Sequence, residues 1–196
     1  VVAELAQAYV RGMRMAGMAA VLKHFPGHGA ASADTHKDSA VDMRPLEVLR
    51  DEDMLPFAQG IDAHAEAVMM AHVAYPLVDE YPAGFSRAWI GQVLRGELGF
   101  EGVVISDDIG MAAAGAVSDI AARVRAHLAA GCDLVLACAP AVVEEATAAV
   151  PAPPVEATRL ATLRGAVAST WASLEDNPQR NRFVARITAL DAGSQA

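Results

Sequence analysis

Two cysteines, aromatic residues at only 5%, and 15 lysines and arginines against 24 aspartates and glutamates are the scarcities that bound this chain of 196 residues. Two cysteines do not make a disulfide scaffold. They stand in "CDLVLAC" as Cys132 and Cys138, an even number of residues apart on one expected strand, and read as buried thiols rather than as a disulfide or metal pair. A formal charge of −9 with no basic run argues against nucleic acid or an anionic membrane surface as partner. No apolar run approaches the roughly 18 to 20 residues of a membrane span. The opening "VVAELAQAYVRGMRMAG" has neither the basic cap nor the cleavage site of a signal peptide, and with reduced thiols this sets a cytoplasmic expectation. What is plentiful is apolar: 54% of the residues are hydrophobic, enough for a buried core. The chain begins at Val1 inside an amphipathic pattern (Val1, Val2, Leu5, Tyr9, Met13) with no capping residue before it, and reads as a fragment or half of a longer protein.

Four apolar, β-branched runs, "MAAVLKHF", "EAVMMAHV", "GVVISDD" and "CDLVLAC", predict short strands buried on both faces, as in a parallel sheet. Helical patterns separate them: "PLEVLRDEDMLPFAQGI", "SRAWIGQVLRGELG" with Ser86 as N-cap, and "SDIAARVRAHLAAG" with Ser118 as cap and Gly131 as stop. After the fourth strand, "AVVEEATAAV", a longer stretch from about Val155 to Leu174, and "NRFVARITAL" are expected to be helical, with a disordered tail over 191–196. Polar residues gather at the strand ends as Lys23 and His24, His72, and Ser106, Asp107 and Asp108. Both the doubly wound sheet and the (β/α)₈ barrel place their sites there, but no glycine-rich phosphate loop follows any of the four strands. The expected fold is therefore α/β, a TIM barrel of which residues 1–190 form only the second half, strands 5 to 8 with their helices.

The candidate site residues have plain alternatives. Asp107 is either a helix N-cap or a carboxylate held rigidly at the barrel mouth as nucleophile or base. Its neighbour Asp108 points the other way on an extended backbone, so only one of the two faces a pocket. Asp34 and His36 in "DTH" are a solvated turn, or an imidazole oriented by a carboxylate for proton transfer. Lys23 and His24 form a structural ion pair or grip hydroxyl groups of a polar ligand. His24 and His28, four residues apart with Asp34 nearby, also admit a metal-dependent hydrolase, although Pro26 and Gly27 disfavour a helix and no HExxH signature is present.

Taken in order, "KHFPGHG", "DTH", "MMAHVAYPLVDEYPAGFS", "LGFEGVVISDDIGM" and "AAGCDLVLAC" resemble glycoside hydrolase family 3, within it the β-N-acetylglucosaminidases of the NagZ type, from about Ala3 to the C-terminal helices. The resemblance implies cofactor-free, retaining hydrolysis of terminal β-linked N-acetylglucosamine from peptidoglycan-derived muropeptides in cell-wall recycling. It implies Asp107 as nucleophile in a covalent glycosyl-enzyme, His36 as acid/base oriented by Asp34, Lys23 and His24 on the sugar hydroxyls, and Met111 lining the sugar pocket. Ala30 and Ala139 depart from the Asp and Asn frequent in relatives, and the family's sugar-binding aspartate and arginine belong to the half of the barrel not represented here. The competing expectation is a non-catalytic half-barrel that needs its missing half, or associates through exposed barrel edges.

Overall fold

The computed structural model describes residues 1–30, 40–111, 114, 117, 119–150, 157–166 and 170–193. The four apolar runs form the strands β1 (Val21–Phe25), β3 (Ala67–Met70), β6 (Val103–Asp108) and β7 (Leu134–Leu136), and these make one sheet in the order β1-β3-β6-β7. Every pairing in it is parallel. Each crossover therefore steps one place in the same direction, whereas a doubly wound sheet reverses its order partway. The sheet is part of a singly wound (β/α) barrel, as the sequence predicts.

Helices α1 (Val2–Met15), α2 (Leu46–Asp51) and α3 (Leu55–Asp62), a wide helix over Ala88–Glu97 wound with i→i+5 bonds, α4 (Ile120–Ala130) and α5 (Pro140–Ala148) connect and cover the strands. Val68, Met70 and Val104 meet Phe57 of α3 and Trp89, Ile90, Val93 and Leu94 of the wide helix in the main core. Gly60 lets α3 approach β1, since a Cβ there would stand 2.6 Å from Leu22 Cδ1. The opposite, N-terminal ends of the strands are tied by charge. Asp133, just before β7, accepts from Arg95, Arg159 and the Val104 amide, and Glu66, just before β3, accepts from Arg14 and the Ala20 amide.

Several expected boundaries move. The pattern from Pro45 to Ile61 is two helices, because Pro56 has no N–H to donate and its ring would collide with the Glu52 carbonyl in a continuous helix. The run "EAVMMAHV" leaves the sheet after Met70, and Val73–Tyr75 becomes β4 of a second sheet, parallel to β2 (Ala40–Val41) and antiparallel to β5 (Asp79–Pro82). Ser86 does cap its helix, its Oγ accepting from the Trp89 amide at 3.0 Å. The cap of α4 is Asp119, whose carboxylate accepts from the Ala122 amide at 2.6 Å; Ser118 lies outside the described residues.

By internal contacts the chain falls into two units, Val1–Arg164 and Gly165–Ala196. The long helix expected from about 155 is instead a short α6 (Ala157–Leu160) and a 3₁₀ turn (Ala161–Leu163), after which Arg164 turns extended; residues 151–156 and 167–169 lie outside the described residues. The second unit holds α7 (Trp171–Glu175), started by a capping box between Thr170 and Ser173, and α8 (Pro178–Gly193). Helix thus continues into the segment expected as a disordered tail, of which residues 194–196 lie outside the described residues. Cysteine 132 is buried, but Cys138 is exposed because β7 ends two residues earlier; both thiols are free. No helix among the described residues is long and apolar enough to cross a membrane.

Candidate active site

The candidate site forms at the C-terminal end of the parallel sheet, where apolar strands run out and polar residues begin. Strand β6 continues through Asp108 and a turn follows at Ile109 and Gly110, so Asp107 lies inside a strand and is not a helix cap. The two adjacent aspartates are used differently. Asp108 Oδ1 accepts from the Gly110 and Cys138 amides at 3.1 and 3.0 Å, which ties the end of β6 to the segment beyond β7. Among the described residues Asp107 accepts its neighbour's amide on Oδ1, at 2.8 Å, and its Oδ2 stands 3.7 Å from His24 Nε2. Its side chain is 15% exposed, shielded yet reachable. Ser106 fixes the backbone beneath it, donating to the Asp107 carbonyl at 2.7 Å and accepting from the Leu136 amide at 2.9 Å.

At the end of β1, Lys23 is exposed, so its charge meets water, while His24 is half-buried against Asp107. The other ring nitrogen of His24 lies 3.3 Å from His28 Nε2. The Lys23–His24 and Phe25–Pro26 peptide bonds are both cis. Beyond them Gly27 turns with φ of +108°, hard against Asp53, and its carbonyl accepts from the Tyr75 hydroxyl at 2.6 Å. Arg44 then gathers Asp42, Glu52 and Asp53 around one guanidinium, which holds the Asp42 carboxyl below its usual range. Met111 is buried in the turn after β6, its amide bonded to the Asp108 carbonyl. Arg123 braces that turn, donating to the carbonyls of Ile109 and Val117 at 2.7 and 2.9 Å.

Asp107, His24 and Met111 thus come together around the end of β6, with Lys23 on the neighbouring strand; Asp34 and His36 lie outside the described residues. Among the described residues no group of three His, Cys, Asp or Glu side chains is placed to hold a metal ion, and Asp34, the third ligand of the metal reading, is not among them.

Behind these residues is a second layer, of which the sequence marks His72 as a strand-end polar residue without giving it a role, and does not mark His127. His72, buried behind Asp107, bonds through Nε2 to the Asp108 carbonyl at 3.1 Å, and its ring stands 5.5 Å from that of His127. His127 donates from Nδ1 to the Gly84 carbonyl at 2.7 Å and stacks on Phe85 at 4.0 Å. Burial holds both imidazoles below their usual pKa, His127 down to about 3. A histidine ending an apolar strand was the available signal for His72. Tyr75 carries no such mark, since its partner Gly27 is 48 residues away.

The model of the glycosyl hydrolase family 3 N-terminal domain matches residues 1–167. This chain belongs to glycosyl hydrolase family 3. Among family members, the β-hexosaminidase of Xanthomonas axonopodis pv. citri is 55% identical over 174 residues, 89% of this chain and 52% of that protein. The β-hexosaminidase of Xylella fastidiosa is 61% identical over 150 residues, 76% of this chain and 45% of that protein. In fold, the chain resembles NagZ from Neisseria gonorrhoeae crystallised with N-trifluoroacetyl-D-glucosamine, with a TM-score of 0.83 and 34% identity over 96% of this chain and 55% of that one. The chain therefore spans about half the length of the curated family members it matches.

Proposed function

We propose that this chain is the nucleophile-bearing half of a retaining exo-β-N-acetylglucosaminidase that releases terminal β-linked N-acetylglucosamine from peptidoglycan-derived muropeptides in the cytoplasm. The observation that carries the reading is the unequal use of the two aspartates. Asp108 is committed to two backbone amides, while Asp107 keeps one oxygen directed at His24. In the proposed mechanism Asp107 Oδ2 attacks the anomeric carbon and the glycosidic bond breaks. The leaving oxygen takes a proton from His36, which Asp34 orients; His36 then draws a proton from water, and that water cleaves the glycosyl-Asp107 ester. Lys23 and His24 grip the sugar hydroxyls and Met111 lines the sugar. A histidine as acid/base avoids placing a second carboxylate beside Asp107, which favours its ionised form.

Strands β1 and β7 stand at the two ends of the sheet, each with a single partner strand among the described residues. In this reading those edges receive further barrel strands.

The test is release of p-nitrophenol from p-nitrophenyl N-acetyl-β-glucosaminide by the chain alone, and by the chain co-expressed with the upstream half-barrel of a related β-hexosaminidase. Turnover in either sample, lost in Asp107→Asn and indifferent to a chelator, is the expected result. Silence from a folded, reconstituted barrel would favour a non-catalytic half-barrel, and loss of turnover with chelator a metal-dependent hydrolase.

A further inference from the structure

We propose that His72 is a positioning residue for Asp107: a neutral imidazole whose Nε2–H holds the Asp108 carbonyl, and with it the strand end that carries the nucleophile. This rests on the reading of Asp107 as nucleophile. Two peptide planes follow Asp107. The first is pinned by Ser106 Oγ on the Asp107 carbonyl and by Asp107 Oδ1 on the Asp108 amide. The second is pinned on its amide side by Ile109 N–H donating to the Leu136 carbonyl at 2.9 Å. On its carbonyl side, Asp108 O takes the Met111 amide at 3.1 Å and His72 Nε2 at 3.1 Å. The Met111 bond belongs to the turn itself. His72, two residues past the end of β3, brings the restraint from outside β6, and so ties the nucleophile's peptide to the segment that follows β3.

The geometry also fixes the ring's chemical form. A carbonyl accepts only, so Nε2 must carry the proton. Nδ1 is buried without a hydrogen-bond partner among the described residues, so a proton there would be stranded. The charged groups facing the ring are the Asp107 and Asp108 carboxylates from the end of β6 and Arg123 from α4, with neutral His127 beside it; burial outweighs them and keeps His72 neutral. A neutral donor orients the strand end without placing a cation beside the nucleophile. The ring itself is held by Phe85, stacked at 6.0 Å and 21°, and by His127.

Two substitutions separate this role from simple packing. His72→Phe keeps a ring in the stack and removes the donor. His72→Gln keeps an N–H near the position of Nε2 and removes the ring. In the preparation that turns over the aryl glycoside, a positioning role predicts that His72→Phe lowers kcat by about 10- to 100-fold, the range expected when a reacting group is misplaced by about 1 Å. KM should stay within about twofold, and His72→Gln should recover most of the rate. A packing role predicts the reverse order, and that order would overturn the proposal.

A second readout does not depend on activity. In ¹⁵N-resolved NMR of the full chain, His72 should show its proton on Nε2. The amide signals of Asp108, Ile109 and Met111 should move in His72→Phe and return in His72→Gln. A proton on Nδ1, or amide signals equally disturbed in both variants, would overturn the proposal. If no preparation turns over the glycoside, the hydrolase reading falls, and these signals alone decide whether His72 holds the strand end.

Discussion

At the scale of single residues, the pair Asp107–Asp108 shows how identical neighbours acquire different work. The sequence says that two adjacent carboxylates on a strand face opposite ways; which one faces a pocket depends on Cys138 and His24, residues that only the folded chain brings near. The consequence is a clean separation by mutation. Asp107→Asn retains the oxygen that accepts the Asp108 amide, and is expected to unfold at the same urea concentration as the parent while turnover falls by at least about 10³-fold. Asp108→Ala leaves the exposed Gly110 and Cys138 amides to water and should lower the unfolding free energy by about 0.5–1.5 kcal/mol, read from the urea midpoint.

Elements were legible in proportion to how local their causes are. Buried parallel strands announce themselves as continuous β-branched runs, and β1, β3, β6 and β7 all fall inside the runs that predict them. The small sheet of β2, β4 and β5 was not legible, because its strands are two to four residues long and β2 pairs with β4 more than 30 residues away. The turn after β1 was legible only as a cluster of glycine and proline. Its requirement is steric: Gly27 has φ of +108°, and a Cβ there would lie 2.7 Å from the Asp53 Cβ. Gly27→Ala is therefore expected to destabilise the chain by about 1–3 kcal/mol, measured by chemical unfolding. Because Gly27 adjoins the segment bearing His24 and His28, the same variant should also raise KM for the aryl glycoside.

For the whole molecule, acid should be the sensitive direction. Above about pH 6.5 neither the native nor the unfolded chain protonates His127, and it contributes no pH dependence. Between that value and about 3 the unfolded chain binds a proton that the native chain refuses, so stability falls as pH falls, by up to ~1.4 kcal/mol per pH unit. His72, also held low by burial, adds a slope of the same sign. Urea unfolding at pH 7 and pH 5.5 should show this loss, and His127→Phe should make it shallower. Charge is arranged along the strand axis as well. One end of the sheet carries Arg95, Arg159 and Arg14 on Asp133 and Glu66, and the other carries Asp107 and His24. A survey of every possible substitution, scored separately for the quantity of folded protein and for turnover per folded molecule, would therefore split into two strata. Arginine losses at the first end would register as missing protein, and losses at the second as intact but idle protein, the strata lying apart by little more than one strand's length, about 16 Å.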